Sequence, residues 1–146
     1  MASGSRNEKD DMRHPPVAID LSSTFVVVRP DLLADRIDVT ETIWSDLDER
    51  YDNFRNHSLV SSFSFDTDWP TWERHPKGDE IVCLLSGDAE MILKTSDGDR
   101  RVRLDTPGTC VIVPQDTWHT ARVHEPTTML FITPGEGTEN QASPDE

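Results

Sequence analysis

Residues 72–87, Trp72-Glu73-Arg74-His75-Pro76-Lys77-Gly78-Asp79-Glu80-Ile81-Val82-Cys83-Leu84-Leu85-Ser86-Gly87, decide how the chain is read. In extended backbone, residues two apart point to the same side, so Glu73 and His75 project together. Pro76 to Asp79 is a turn-rich step, and Glu80 opens an apolar run, Ile81 to Leu85, of strand character. A second segment lies downstream: Gly108, five residues of strand character, Pro114-Gln115-Asp116-Thr117-Trp118, then His119. A histidine entering a strand after a proline-containing turn can return to the same cavity. The two segments together supply two imidazoles and two carboxylates, donors suited to a divalent transition ion.

Outward from these segments the pattern stays short and β-like. Phe25 to Val28 is a β-branched run ended by Pro30, and Leu59, Ser61, Phe63 and Phe65 form one face of an alternating strand. Further runs are Ala89 to Thr95, Arg101 to Leu104, Thr109 to Val113, His119 to Val123 and Thr127 to Thr133. Turn signals separate them at Ser86-Gly87-Asp88, Asp97-Gly98-Asp99, Pro107-Gly108 and Glu125-Pro126. Asp97-Gly98 between two runs predicts a tight hairpin. With no crossover helices between strands, the class is all-β, a sandwich or barrel. One helix is expected before residue 57. Ser45 would cap it, Asp46 and Asp48 would sit in its first turn, and Arg50 and Arg55 would fall towards its end. Leu47, Tyr51 and Phe54 would share its buried face against the barrel wall.

The chain has 146 residues, within the size of one domain. Residues 1–16 read as a polar leader, 17–134 as the domain, and 135–146 as an acidic tail. Lys and Arg number 14 against 28 Asp and Glu, a net charge of −14, which repels phosphate backbones and anionic lipid. Nucleic acid and membrane are therefore not expected partners. No apolar run approaches the roughly 20 residues of a bilayer span, and the start does not look like an export signal. Cys83 and Cys110 each sit in an apolar stretch, so they are expected as reduced, buried small hydrophobes in a cytoplasmic protein.

The spacing of the two segments resembles the cupin superfamily. Glu73-x-His75, four residues, Glu80, six residues, Gly87 follows its first motif, with Glu73 where a histidine usually stands and the opening glycine missing. Gly108, five residues, Pro114-x-Asp116, two residues, His119 follows the second, with Asp116 for glycine and Val123 for the closing asparagine. Asp tolerates the left-handed turn that glycine usually serves there. Trp72-Glu73, Trp118-His119 and Phe131-Ile132-Thr133-Pro134-Gly135 resemble small single-domain bacterial cupins. The resemblance implies an antiparallel jelly-roll barrel with one N-terminal helix and a metal in its wider mouth. It implies His75, Glu80 and His119 as ligands, and Glu73 as a fourth. Glu73 has two other readings: a general base, or a surface partner of Arg74 or Arg122.

The expected cofactor is a divalent Fe, Mn, Ni, Co or Zn ion, which nitrogen and oxygen donors do not distinguish. The expected function is a metal-dependent enzyme on a small oxygen-rich molecule, of dioxygenase, isomerase or lyase type. The alternative is a cupin that binds or senses a small ligand without turnover. Outward-facing Ile81, Cys83 and Leu85 predict a homodimer. Trp72 and Trp118 alternate out of phase with Glu73, His75 and His119, so they are expected outside the barrel or in that interface, and Trp69 flanks the motifs. His14, His57 and His124 lie outside the motifs and are not expected to be catalytic.

Overall fold

Two strands are long enough to cross the whole molecule, and their pairing builds the rest. The computed structural model describes residues 15–145, so the expected leader lies almost wholly outside the described residues. In chain order the strands are β1 (Thr24–Val28), β2 (Ala34–Asp38), β3 (Ser58–Phe65), β4 (Trp72–Arg74), β5 (Glu80–Thr95), β6 (Gly98–Leu104), β7 (Cys110–Val113), β8 (His119–Thr133) and β9 (Glu139–Gln141). Every pairing is antiparallel. The first half of β5 pairs with β7 and with the second half of β8, which continues through β3 and β1 to β2. The second half of β5 pairs with β6 and with the first half of β8, which continues through β4 to β9. This is an all-β antiparallel jelly-roll arrangement, as expected, with one α-helix among the described residues.

The expected turns at Ser86-Gly87-Asp88 and Glu125-Pro126 are corrected: both lie inside continuous strands. Register shifts between Leu84 and Ala89 bend β5 instead of reversing it. Gly87 has φ 102°, and a Cβ there would lie 2.5 Å from the Pro126 carbonyl, so only glycine lets the bent strands approach. Thr127 fixes the bend: its Oγ1 accepts from the Asp88 N–H at 3.1 Å. The expected Asp97-Gly98 hairpin is present between β5 and β6. β2 escaped the sequence reading because its segment, Ala34-Asp35-Arg36-Ile37-Asp38, is mostly charged. Tertiary packing buries Asp35 and Ile37, and Asp35 is held by Arg29 and the Tyr51 hydroxyl.

The helix α1 spans Ile43–Arg50, starting before the expected Ser45 cap. Thr42 flanks it without a capping bond, and Ser45 Oγ instead donates to the Thr42 carbonyl at 3.0 Å. Ile43 and Leu47 bury against Phe25, Val27 and Leu59 of the sheet. Phe54 joins that cluster, but not as part of the helix. Asp52, Asn53 and Phe54 have φ of 53°, 54° and 60°, a left-handed turn that ends the helix and swings Phe54 inward. A separate core of Val82, Leu84, Met91, Leu104, Val113 and Met129 fills the space between the two halves.

Two further expectations are revised by the described structure. Cys83 and Cys110 are directly opposed on β5 and β7 and are joined as a disulfide. The sequence reading treated each apolar stretch alone; pairing of the two strands brings the sulfurs together on the outer face. Disulfides persist in oxidising compartments, so the thiol argument for a cytoplasmic location is withdrawn. Among the described residues no helix is long and apolar enough to cross a membrane. The segment beyond residue 134 contributes β9, which pairs with β4. Gly137 turns the chain with φ 69°, and Arg74 ion-pairs with Glu139 across the new pair.

Candidate metal centre

The register of β4 against β8 sets Glu73 opposite His119. That pairing joins the two sequence segments. Their loops are clipped together: the Gln115 N–H donates to Asp79 Oδ1 at 2.7 Å, and Gln115 Nε2 to the Pro76 carbonyl at 2.7 Å. Asp116 has the left-handed φ expected of it, 61°, and its N–H donates to the His75 carbonyl at 2.9 Å. His75 therefore enters the site from a loop whose backbone is fixed from both sides.

All four side chains singled out by sequence converge. His119 Nε2 lies 3.1 Å from Glu80 Oε1, and His75 Nε2 lies 3.3 Å from Glu80 Oε2. Glu73 Oε2 stands further off, 3.8 Å from His75 Nε2 and 4.0 Å from His119 Nε2. Glu73, His75 and His119 each offer a donor atom within 4.8 Å of the others, a set that could hold an ion. Glu80, His75 and His119 are almost wholly buried, while Glu73 is 33% exposed.

The outer nitrogen of each imidazole is committed. His119 Nδ1 lies 3.0 Å from the Thr117 carbonyl, so it must donate, which leaves Nε2 as a bare lone pair in the neutral ring. His75 Nδ1 lies 2.9 Å from Thr138 Oγ1. That hydroxyl donates its proton to the Gly135 carbonyl at 3.0 Å, so it accepts from His75, and His75 Nε2 is likewise a lone pair. Thr133 Oγ1 donates to Glu80 Oε2 at 2.6 Å and holds that carboxylate. Among the described residues, His75 Nε2, His119 Nε2 and Glu80 Oε1 are buried without a hydrogen bond of acceptable geometry, despite their short separations.

Lone pairs facing lone pairs in a buried site require a cation, whether a proton or a metal. Donors bound to one ion at about 2.1 Å and at right angles stand about 3.0 Å apart, close to the 3.1 and 3.3 Å at which the two imidazoles each meet a different oxygen of Glu80. The residues present fit a divalent ion. In the protein without metal a proton can take this place. Burial opposes charge on His119, but the Glu80 carboxylate outweighs it and raises the imidazole above its ordinary value. Burial would raise Glu80, but His119 and His75 outweigh it and hold the carboxyl down at about 2. Glu73 is raised by burial and then by the charge of Glu80, with the two histidines offsetting only part of this.

The site opens into a cavity of about 600 Å³. Leu59, Ser61, Phe63 and Phe65, the alternating face read from sequence, line it together with Trp69 and Phe131. The sequence reading missed Thr138 and Thr133, whose contacts come from chain returning late, and no local signal marks either residue. Trp72 and Trp118 stand half-buried away from the site, with Lys94 Nζ 5.2 Å over the first ring and Arg74 Cζ 4.6 Å over the second. His124 is exposed, and His57 packs against Tyr51 and Phe54.

No family model and no curated protein matches the chain. Solved structures similar to it include a cupin-2 domain containing protein from Shewanella frigidimarina, at 16% identity over 53% of this chain and 70% of that one, with TM-score 0.45. Hydroquinone 1,2-dioxygenase from Sphingomonas sp. TTNP3 matches at 18% identity over 52% of this chain, with TM-score 0.45. A cupin superfamily protein from Desulfitobacterium hafniense matches at 26% identity over 52% of this chain, with TM-score 0.44. The chain spans 58% and 65% of the lengths of these last two.

Proposed function

We propose that His75, Glu80 and His119 hold a divalent transition ion, with Glu73 beside it, and that the protein is a metal-dependent enzyme on a small oxygen-bearing molecule. One observation carries this reading: His75 Nε2, His119 Nε2 and Glu80 Oε1 are buried without hydrogen-bond partners, with His119 Nε2 3.1 Å from Glu80 Oε1 and His75 Nε2 3.3 Å from the other oxygen, Oε2, of the same carboxylate. Donors of nitrogen and oxygen without thiolate suit Fe, Mn, Ni, Co or Zn. Such an ion, when bound, polarises an oxygen of the ligand and orients it.

The chain's own residues divide the remaining work. Thr117 and Thr138 fix the imidazole tautomers, and Thr133 fixes Glu80. Glu73 is the carboxylate with access to the cavity, and its raised affinity for a proton suits it to hold or accept one at Oε2. The outward Leu85 and Ile112, 45% and 61% exposed, support a homodimer.

The test is elemental analysis of protein purified without added metal, followed by calorimetric titration of the stripped protein with Ni²⁺ or Zn²⁺. One ion per chain, lost in His119→Ala, is expected. No bound ion and no heat of binding would overturn the reading. Dioxygen uptake or product formation across a panel of diols, ketones and hydroxy acids then separates an enzyme from a binding protein.

A further inference from the structure

The walls of the cavity specify what kind of molecule fits beside the donor cluster. Phe63, Phe65, Trp69 and Phe131 form a continuous aromatic wall, with ring centroids 5.4 Å apart for Phe65 and Trp69 and 5.9 Å for both Trp69–Phe131 and Phe63–Phe131. Trp69 carries this wall up to the metal end, 6.3 Å from the His119 ring. Three of the four rings are only half-buried although they sit inside the molecule, because they face the cavity.

Two hydroxyls of the cavity wall beside the donor cluster are engaged already, while Trp69 Nε1 is buried in the wall without a partner. Thr133 donates to Glu80, and Thr138 both donates to Gly135 and accepts from His75. A polyol would desolvate several hydroxyls against aromatic faces, where the Trp69 indole N–H offers a single donor and no acceptor in return. Charge restricts the ligand further. Among the described residues lining the cavity none is Lys or Arg, and the charged ones are Asp48, Glu73 and Glu80. Arg74, the nearest cation in sequence, points away to Asp116 and Glu139. Two carboxylates already balance a divalent ion, so every negative charge on a ligand goes uncompensated, and a phosphate or a second carboxylate costs more than a single carboxylate.

We infer that the cavity selects a small molecule with a flat, largely apolar body and a compact oxygen-donor head carrying at most one negative charge. The position of the head at the metal rests on the proposed function; the choice of body rests on the aromatic wall alone. Four probes share one head, a 2-hydroxycarboxylate: mandelate, lactate, gluconate and 3-phosphoglycerate. With the metal-loaded full chain, calorimetry is expected to give mandelate an affinity at least about tenfold above the other three. Phe65→Leu, which keeps bulk but removes the ring, should reduce that preference about fivefold. In the metal-free chain, ligand-observed NMR should detect phenol and not glycerol. Gluconate or 3-phosphoglycerate binding as tightly as mandelate, or glycerol bound as well as phenol, would overturn the inference. If the chain takes up no metal, the proposed function fails, and the phenol–glycerol comparison still decides this inference.

Discussion

His75 Nδ1 lies 2.9 Å from Thr138 Oγ1, a contact that spans 63 residues and ties the strand-return segment to the donor cluster. Thr138 is thus a positioning residue: it fixes which imidazole nitrogen faces inward. Thr138→Val should weaken metal binding by about tenfold or more while leaving the fold intact by circular dichroism. Thr138→Ser, which keeps the hydroxyl, should restore affinity. Equal affinity in the valine variant would remove Thr138 from the site.

The pH dependence of the metal-free protein follows from the same cluster. Glu80 is depressed to about 2, so its contribution to stability is present above its unfolded value near 4.5 and is lost as pH falls towards 2. His119 is raised, so its contribution is complete below about 6.5 and disappears as pH rises through its folded value. Thermal melts should therefore show the metal-free chain losing stability from neutral to alkaline pH. Metal affinity should run the opposite way and rise over that range, since the ion must displace the His119 proton. Affinity flat from pH 5 to 8 would mean that the histidines are not ligands.

Glu73 and Glu80 should differ in weight. Glu80 touches both imidazoles, whereas Glu73 stands 3.8 and 4.0 Å away, and neither Arg74 nor Arg122 claims it, these pairing with Asp116, Glu139 and Asp68. Calorimetry should give Glu80→Gln the larger loss of metal affinity, about tenfold or more. Glu73→Ala should bind metal less tightly, and Glu73→His should recover binding. If Glu73 serves as a base, Glu73→Ala keeps its metal but slows turnover by about 10²- to 10⁴-fold. Unchanged binding together with unchanged turnover would leave Glu73 outside the chemistry.

The disulfide closes a loop of 27 residues, which corresponds to at most about 3.5 kcal/mol of chain entropy. Denaturant melts with and without reductant should differ by up to that amount, and a Cys83→Ser, Cys110→Ser double variant should match the reduced protein. Two titratable thiols in the untreated native chain would count against the bond.

Light scattering at micromolar concentration should give twice the chain mass of 16.5 kDa. Leu85→Lys with Ile112→Lys should return it to the monomer, because both side chains are exposed apolar groups on the outer face of the described structure. A monomer mass for the unaltered protein would exclude the homodimer.

The strands with alternating or β-branched faces were legible because periodicity is a local property: Leu59, Ser61, Phe63 and Phe65 declare a shared face whatever lies opposite. The donor set was legible for a similar reason, since spacing fixes that Glu73 and His75 share a side and that Asp116 can make the turn before His119. Bend and turn, however, have the same residue signature. Only the pairing of β5 with β8 made Ser86-Gly87-Asp88 a kink within one strand. Likewise, each cysteine alone looks like a small hydrophobe, and the β5–β7 register decides that Cys83 meets Cys110. The face of β3 looked like core and became a cavity wall, because closure of the sheet leaves that volume unfilled. Thr138 and Thr133 carry no signal of their own. Their roles depend on contacts across 63 and 53 residues, which chain sequence does not encode locally and tertiary packing alone creates.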